Sequence, residues 1–128
     1  MKLNGRLRFL GERKDVARLM AAADIVCQPN VEPDSFGIVF IEALYAGKPV
    51  VTSGIGGALD ILDNSYGALV APGETATLAR ELRTLIENKG ERKAKGGRGP
   101  ARAEELCNPR TTLRHISELL TARQRDTQ

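Results

Sequence analysis

The chain has 128 residues, of which 41% are hydrophobic and 27% charged, and its formal net charge is +3. This balance is typical of a globular domain. Aromatic residues make up only 4% of the chain and Trp is absent. A stacking surface for single-stranded nucleic acid is therefore excluded, and we expect no nucleic-acid partner.

Metal and membrane signals are weak in this sequence. Cys27 and Cys107 lie far apart, with no CxxC pattern and no cluster around the single His115, so we expect no metal site. Cys27 falls in an apolar run, which favours a core position over a reactive one. No apolar run reaches transmembrane length and no signal-peptide pattern is present, so we expect a cytoplasmic protein.

Four short apolar runs recur at intervals of roughly twenty residues and predict strands: residues 7–10, 25–27, 50–52 and 68–70. Helical patterns or turn clusters lie between them, with helices predicted at residues 15–23 and 37–46 and one helical turn at 59–62. Strands that alternate with helices indicate an α/β fold. The expected fold class is a Rossmann-like parallel sheet of about four strands with flanking helices.

The second half of the chain reads as mainly helical. Residues 75–88 have the spacing of an amphipathic helix, and a short helix is predicted at 101–106. Asn108 and Pro109 resemble an N-cap and first helical residue, so a last helix should run to about residue 122. Residues 89–100 are rich in Gly, Lys and Arg and are predicted to be mobile or irregular. We expect one domain over residues 1–128, with 101–128 as a C-terminal helical segment.

The positive charge is concentrated late in the chain, on residues that allow two interpretations: Lys89, Arg92, Lys93, Lys95, Arg98 and Arg102. They could form a solvated helix face. They could also attract anionic lipid or an acidic partner, which would place the protein at the inner face of the membrane.

Residues 28–42 are the strongest candidate for a ligand site. Ligands of open α/β sheets bind outside the carboxyl ends of the strands, and here a loop leads from such a position into a helix. The first turn of that helix offers unpaired N–H groups and a partial positive charge, and Gly37 would let a diphosphate approach the backbone.

Two carboxylates flank this helix start, and each has two interpretations. Glu42 lies in a helix that is apolar almost all round, which favours burial, and a buried carboxylate needs hydrogen bonds or a partner. It is therefore predicted either to bind the vicinal hydroxyls of a ribose, since helical side chains lean toward the N-terminus, or to be exposed or paired with Lys48. Asp34 is predicted either to cap the helix or to contact the ligand. Together these features suggest a nucleotide-sugar site.

Beyond these features, residues 28–72 resemble the donor-binding region of retaining GT-B glycosyltransferases of the family-4 type, the glycosyl transferases group 1. The resemblance is carried by Gln28-Pro-Asn30, Asp34-Ser-Phe-Gly-Ile-Val-Phe-Ile-Glu-Ala43, Gly47-Lys-Pro-Val-Val51, Gly56-Gly57, Asp60-Ile61 and Gly67-Ala-Leu-Val-Ala-Pro-Gly73. A weaker similarity extends through the helices to the C-terminus.

The resemblance implies a role for each matching position. Glu42 matches the family's ribose-binding Glu. Asp34 matches the Glu that contacts the transferred sugar and is the expected catalytic residue, although it is one methylene shorter. The implied donor-binding set is Asp34, Ser35, Phe36, Gly37, Ile38, Glu42, Gly56 and Gly57. The donor would be a UDP- or GDP-sugar, transfer would retain the anomeric configuration, and neither metal nor cofactor would take part.

A GT-B enzyme has two Rossmann-like domains, so the resemblance also implies that this chain is an incomplete donor domain. We expect it to be inactive alone and to require an acceptor domain in cis or in trans. In the 3-2-1-4-5-6 strand order, the strands that separate the first two apolar runs would be absent. Residues 7–10 are therefore predicted either to pair beside residues 25–27 or to associate with another molecule through an open sheet edge.

Three functions remain open at this point. The first is a glycosyltransferase represented by its donor domain. The second is a non-catalytic nucleotide-sugar-binding module that needs a partner domain for activity. The third is a sugar-nucleotide epimerase or a phosphorylase relative, which the run from Asp34 to Glu42 disfavours.

Overall fold

The computed structural model describes residues 5–33 and 36–125. Three parallel strands form its sheet: β1 (Val26–Gln28), β2 (Val50–Ser53) and β3 (Gly67–Val70), in the order β1-β2-β3. The helices are α1 (Val16–Ala22), α2 (Ile38–Tyr45), α3 (Ala58–Ile61), α4 (Thr75–Glu87), α5 (Lys89–Gly97), α6 (Gly99–Cys107) and α7 (Pro109–Arg125). The predicted α/β class with a parallel sheet is confirmed.

Helices cover both faces of the sheet. On one face, α2, α3 and α6 bury a core that includes Phe40, Leu44 and Val50. On the other face, α4 covers Val51 and Ala68 with Leu85. Because both faces of β2 are covered, its residues are all buried, as is usual for the central strand of a parallel sheet.

The first predicted strand does not form. Residues 7–10 have no strand structure, and the Phe9 side chain is 93% exposed. The predicted pairing beside residues 25–27 is therefore wrong, and the sheet has three strands in place of about four. In the strand order that the resemblance implies, two further strands lie between residues 7–10 and residues 25–27. This order does not favour direct pairing of the two segments, which α1 connects. Association with another molecule stays a prediction.

Cys27 is exposed, contrary to the core position predicted for it. Its register partner on β2 is Val51, which pairs in turn with Ala68 on β3. Val51 and Ala68 are buried under α4, whereas Cys27 lies on the edge strand. Partial burial still raises the pKa of the Cys27 thiol above its ordinary value.

Residues 89–100 are helical, so the prediction of a mobile or irregular segment is wrong. They form α5 and the start of α6, and the Asn88 side chain caps α5 by accepting a hydrogen bond from the Glu91 N–H at 2.9 Å. Glycine has a low helix propensity, but here close packing against neighbouring elements requires glycine within the helices. A Cβ at Gly96 would lie 2.4 Å from the Gly47 carbonyl oxygen, and one at Gly99 2.6 Å from that of Leu44.

Four cations of this region bond to backbone carbonyls. They make six hydrogen bonds: Arg92 to Leu85 and Ile86, Lys95 to Gly67, Arg98 to Ser65, and Arg102 to Asp60 and Ile61. These bonds join α5 and α6 to α3, to α4, to β3 and to the loop between α3 and β3. Arg92, Lys95 and Arg102 are therefore mostly buried rather than part of a solvated face, while attraction to anionic lipid or an acidic partner stays a prediction.

No helix in the described part of the chain is long and apolar enough to cross a membrane.

The close approach of α5 to residue 47 predicts opposite effects for two adjacent glycines. Gly96→Ala should lower the free energy of unfolding by about 1–3 kcal/mol, because its methyl group would overlap the Gly47 carbonyl. Gly97 has no atom within 4 Å of a Cβ, so Gly97→Ala should raise that free energy by up to about 1 kcal/mol through helix propensity. Urea denaturation of both variants measures the two free energies of unfolding. Equal changes in the two variants would contradict the close packing of Gly96 against Gly47.

Candidate functional site

The loops that follow the three strands meet at one edge of the sheet, the edge formed by their carboxyl ends. The described residues of these loops are 29–33 and 36–37 after β1, 54–57 after β2 and 71–74 after β3. Hydrogen bonds join the ends of the strands from which the loops start: the Thr52 hydroxyl donates to the Gln28 carbonyl at 2.7 Å, and the Gly54 N–H to the Val70 carbonyl at 2.8 Å. This is the edge at which open α/β sheets bind ligands.

Helix α2 starts at this edge from a glycine. Gly37 is the N-cap residue, with φ +62°, and it offers no capping side chain. The first N–H of the helix with an internal acceptor belongs to Phe40, which donates to the Gly37 carbonyl at 2.9 Å. The N–H groups of Ile38 and Val39 precede it, so they lie in the part of the first turn that has no intrahelical partner. They can donate to an anion there.

Gly37 is required sterically as well as conformationally. A Cβ at this position would lie 2.8 Å from the Phe40 ring and 2.9 Å from Cδ1 of Ile61 on α3. The start of α2 therefore packs directly against α3. Phe36 and Ile38, on either side, are 77% and 63% exposed.

Glu42 lies on the exposed face of α2, together with Ile38 one turn before it. The argument that Glu42 needs a ligand because it is buried is therefore wrong: the buried residues of α2 are Phe40, Ala43 and Leu44. Among the ion pairs of the described residues, none joins Glu42 to Lys48. The Cα atom of Glu42 lies about 6 Å along the helix axis from that of Ile38, and helical side chains lean toward the N-terminus.

Gly56 and Gly57 precede α3, the helix whose last residue contacts the start of α2. Gly56 has φ +58° and Gly57 is the N-cap of α3. Ile61, at the opposite end of α3, packs against Gly37. Of the eight predicted donor-binding residues, Phe36, Gly37 and Ile38 therefore lie at the start of α2, Glu42 lies one turn further on, and Gly56 and Gly57 lie at the start of α3. Asp34 and Ser35 lie outside the described residues.

A separate cavity of about 160 Å³ opens at the same edge, beside the first turn of α4. Its walls are mostly apolar and include Pro29, Val31, Val70 and Leu78. Of the predicted site residues that the structure describes, none lines this cavity. In the described part of the chain, no group of three His, Cys, Asp or Glu side chains is placed to hold a metal ion.

A carboxylate after α3 helps to order the loop that leads to β3. Asp63 accepts hydrogen bonds from the Ser65 hydroxyl and backbone N–H, and these bonds lower the pKa of its carboxyl group.

The model of the family "Glycosyl transferases group 1" matches residues 1–101. The chain therefore belongs to the glycosyl transferases group 1 family, and the membership predicted from its motifs is confirmed at this level.

Curated relatives and solved structures agree with this assignment. The phosphatidyl-myo-inositol mannosyltransferase of Mycobacterium leprae is 44% identical over 85 residues, which cover 64% of this chain and 23% of that protein. The D-inositol 3-phosphate glycosyltransferase of Corynebacterium kroppenstedtii is 34% identical over 116 residues, covering 88% of this chain and 25% of that protein. The chain therefore spans about a quarter of the curated relatives' length.

The structure of Anabaena Alr3699/HepE in complex with UDP superposes with a TM-score of 0.84 at 36% identity, over 94% of this chain and 33% of that one. The same protein in complex with UDP-glucose gives a TM-score of 0.81. The predicted Rossmann-like class of the GT-B type is confirmed by this similarity.

The contact between Gly37 and α3 predicts a stability difference between two glycines that share a positive φ. Gly37→Ala and Gly73→Ala should each cost about 1–2 kcal/mol for the left-handed backbone. A Cβ at Gly73 would meet no atom within 4 Å, whereas one at Gly37 overlaps Phe40 and Ile61. Gly37→Ala should therefore lose about 1–3 kcal/mol more, measured by urea denaturation. Equal losses would contradict the packing of α2 against α3.

Proposed function

We propose that this chain is a donor-sugar-binding domain of a hexosyltransferase. It binds a UDP- or GDP-sugar, and the hexosyl group passes to an acceptor hydroxyl with retention of configuration and without a metal ion. Residues 1–128 form one Rossmann-like domain, and an acceptor domain supplied in cis or in trans completes the active site. On its own the chain binds the donor and does not turn it over.

The observation that carries this proposal is the start of α2. Gly37 itself has no side chain to cap the N–H groups of Ile38 and Val39, and the helix dipole adds partial positive charge beside them. Glu42 carries an exposed carboxylate on the same face of α2, and in this proposal it accepts hydrogen bonds from two vicinal ribose hydroxyls. The similarity to a protein whose structure contains UDP supports the same ligand class.

Transfer would depend on electrostatic stabilisation of the departing nucleoside diphosphate. Backbone donors fixed at a helix N-terminus stabilise developing negative charge without reorganising, and the loss of one such donor in other enzymes costs about 3–4 kcal/mol. Asp34 is proposed as the residue that contacts the transferred sugar. In the sequence it precedes Gly37 by three residues.

A second function uses the same geometry. A non-catalytic nucleotide-sugar-binding module would keep α2 and Glu42 and would need its partner domain for any activity. It is favoured by the exposure of the site in this chain, where Phe36 and Ile38 are open to solvent.

Substitution of Glu42 tests the binding proposal. Glu42→Gln should weaken the binding of UDP-glucose or GDP-mannose about tenfold, because hydrogen bonds to a charged group contribute about 1.5–3 kcal/mol. Calorimetric titration of the 128-residue chain measures the affinity. Glu87→Gln, at the exposed end of α4, removes the same charge far from α2 and serves as the control.

Four outcomes decide the proposal. Weakening by Glu42→Gln alone supports the ribose contact. An unchanged affinity in Glu42→Gln contradicts it, and the absence of any nucleotide binding by the native chain contradicts the proposed function. Binding accompanied by hydrolysis or transfer would overturn the expectation that the chain is inactive alone.

A further inference from the structure

Arg102 connects α6 to the C-terminal end of α3. Its Nη2 donates to the Asp60 carbonyl at 2.8 Å and its Nε to the Ile61 carbonyl at 3.2 Å, while Nη1 donates to Glu105 at 3.0 Å. The last carbonyls of a helix have no intrahelical donor, and a cation beside them is favourable. In a helix of four residues, these two bonds fix the whole element.

Ile61 connects α3 to the candidate site by direct packing. Its side chain is buried, and its Cδ1 would lie 2.9 Å from a Cβ at Gly37, so it packs directly on the N-cap of α2. The other end of α3 starts from Gly57. A shift of α3 would therefore move the glycine loop and the support beneath the first turn of α2 together.

The neighbouring cations bond to carbonyls elsewhere. Lys95 donates to Gly67 at the start of β3, and Arg98 to Ser65 in the loop between α3 and β3. Among the described cations of α5 and α6, Arg102 is thus the one whose backbone contacts are on α3. Arg98 provides a matched comparison, since it has the same charge and the same kind of acceptor.

We propose that Arg102 is a positioning residue for the donor site, which holds α3 and, through Ile61, the glycine N-cap of α2. The residue does not contact the donor itself. This inference rests on the proposed function for its effect on affinity, but its effect on the geometry of Gly37 and Gly57 is independent of any ligand.

The test compares Arg102→Gln, Arg102→Lys and Arg98→Gln in the 128-residue chain. Calorimetric titration with UDP measures affinity, and the backbone amide signals of Gly37 and Gly57, recorded by NMR without ligand, measure the geometry. Arg102→Gln should weaken UDP binding about tenfold, within the range found for substitutions that act on a site without touching its ligand, and should move both glycine signals. Arg102→Lys keeps one charged donor, so it should give smaller changes in the same direction.

Arg98→Gln should leave both readouts unchanged. Glycine signals that stay in place in Arg102→Gln would overturn the proposal, as would a UDP affinity equal to that of the native chain. If Arg102→Gln does not fold, Arg102→Lys decides, and results indistinguishable from the native chain overturn the proposal. If the native chain binds no UDP, the proposed function fails, while the glycine signals still decide the role of Arg102.

Discussion

The close backbone contact of α5 and α6 with the C-terminal end of α2 is the constraint on which the candidate site depends. Gly96 faces the Gly47 carbonyl and Gly99 faces that of Leu44, at separations that leave no room for a side chain. Phe40 anchors the same helix in the core. An eight-residue helix is about 12 Å long, so fixing its C-terminal end and its buried face also fixes its start, where the candidate phosphate site lies.

The basic residues of α5 and α6 add to this constraint. Arg92, Lys95, Arg98 and Arg102 each donate to backbone carbonyls of the helices, strands and loops around them. A run of positive charge would otherwise suggest a surface for lipid or an acidic partner. Here the guanidinium and ammonium groups satisfy carbonyls that secondary structure leaves unpaired. Glycine contacts and charged hydrogen bonds thus fix the C-terminal end of α2 and the elements around it, while the start of α2 remains open to solvent.

The sequence predicted the elements whose signals are local. Apolar runs located the three strands at residues 25–27, 50–52 and 68–70, and helical spacing located α2 and α4.

The errors of the sequence-based prediction have tertiary causes. Glycine composition hid α5 and the first residues of α6, because close packing against Gly47 and Leu44 is invisible in a single sequence, whereas the rest of α6 was predicted at residues 101–106. Residues 7–10 have strand composition but no neighbouring strand with which to pair. The apolar neighbours of Glu42 predicted that it would be buried, yet it lies on the exposed face of the helix.

The glycines of the site were recognisable because motif and conformation agree at Gly37 and Gly56. The role of Arg102, in contrast, depends on contacts 41 and 42 residues away in the chain.

The central claim is that the start of α2 receives the nucleotide diphosphate. Backbone amide NMR during titration of the 128-residue chain with UDP tests it most directly, because the resonances of individual residues report where the ligand binds. The account predicts that the largest shifts belong to Gly37, Ile38 and Val39, with smaller ones at Gly56 and Gly57. Shifts confined to the apolar cavity beside α4, at Val31, Val70 and Leu78, would contradict it, as would a spectrum that UDP leaves unchanged.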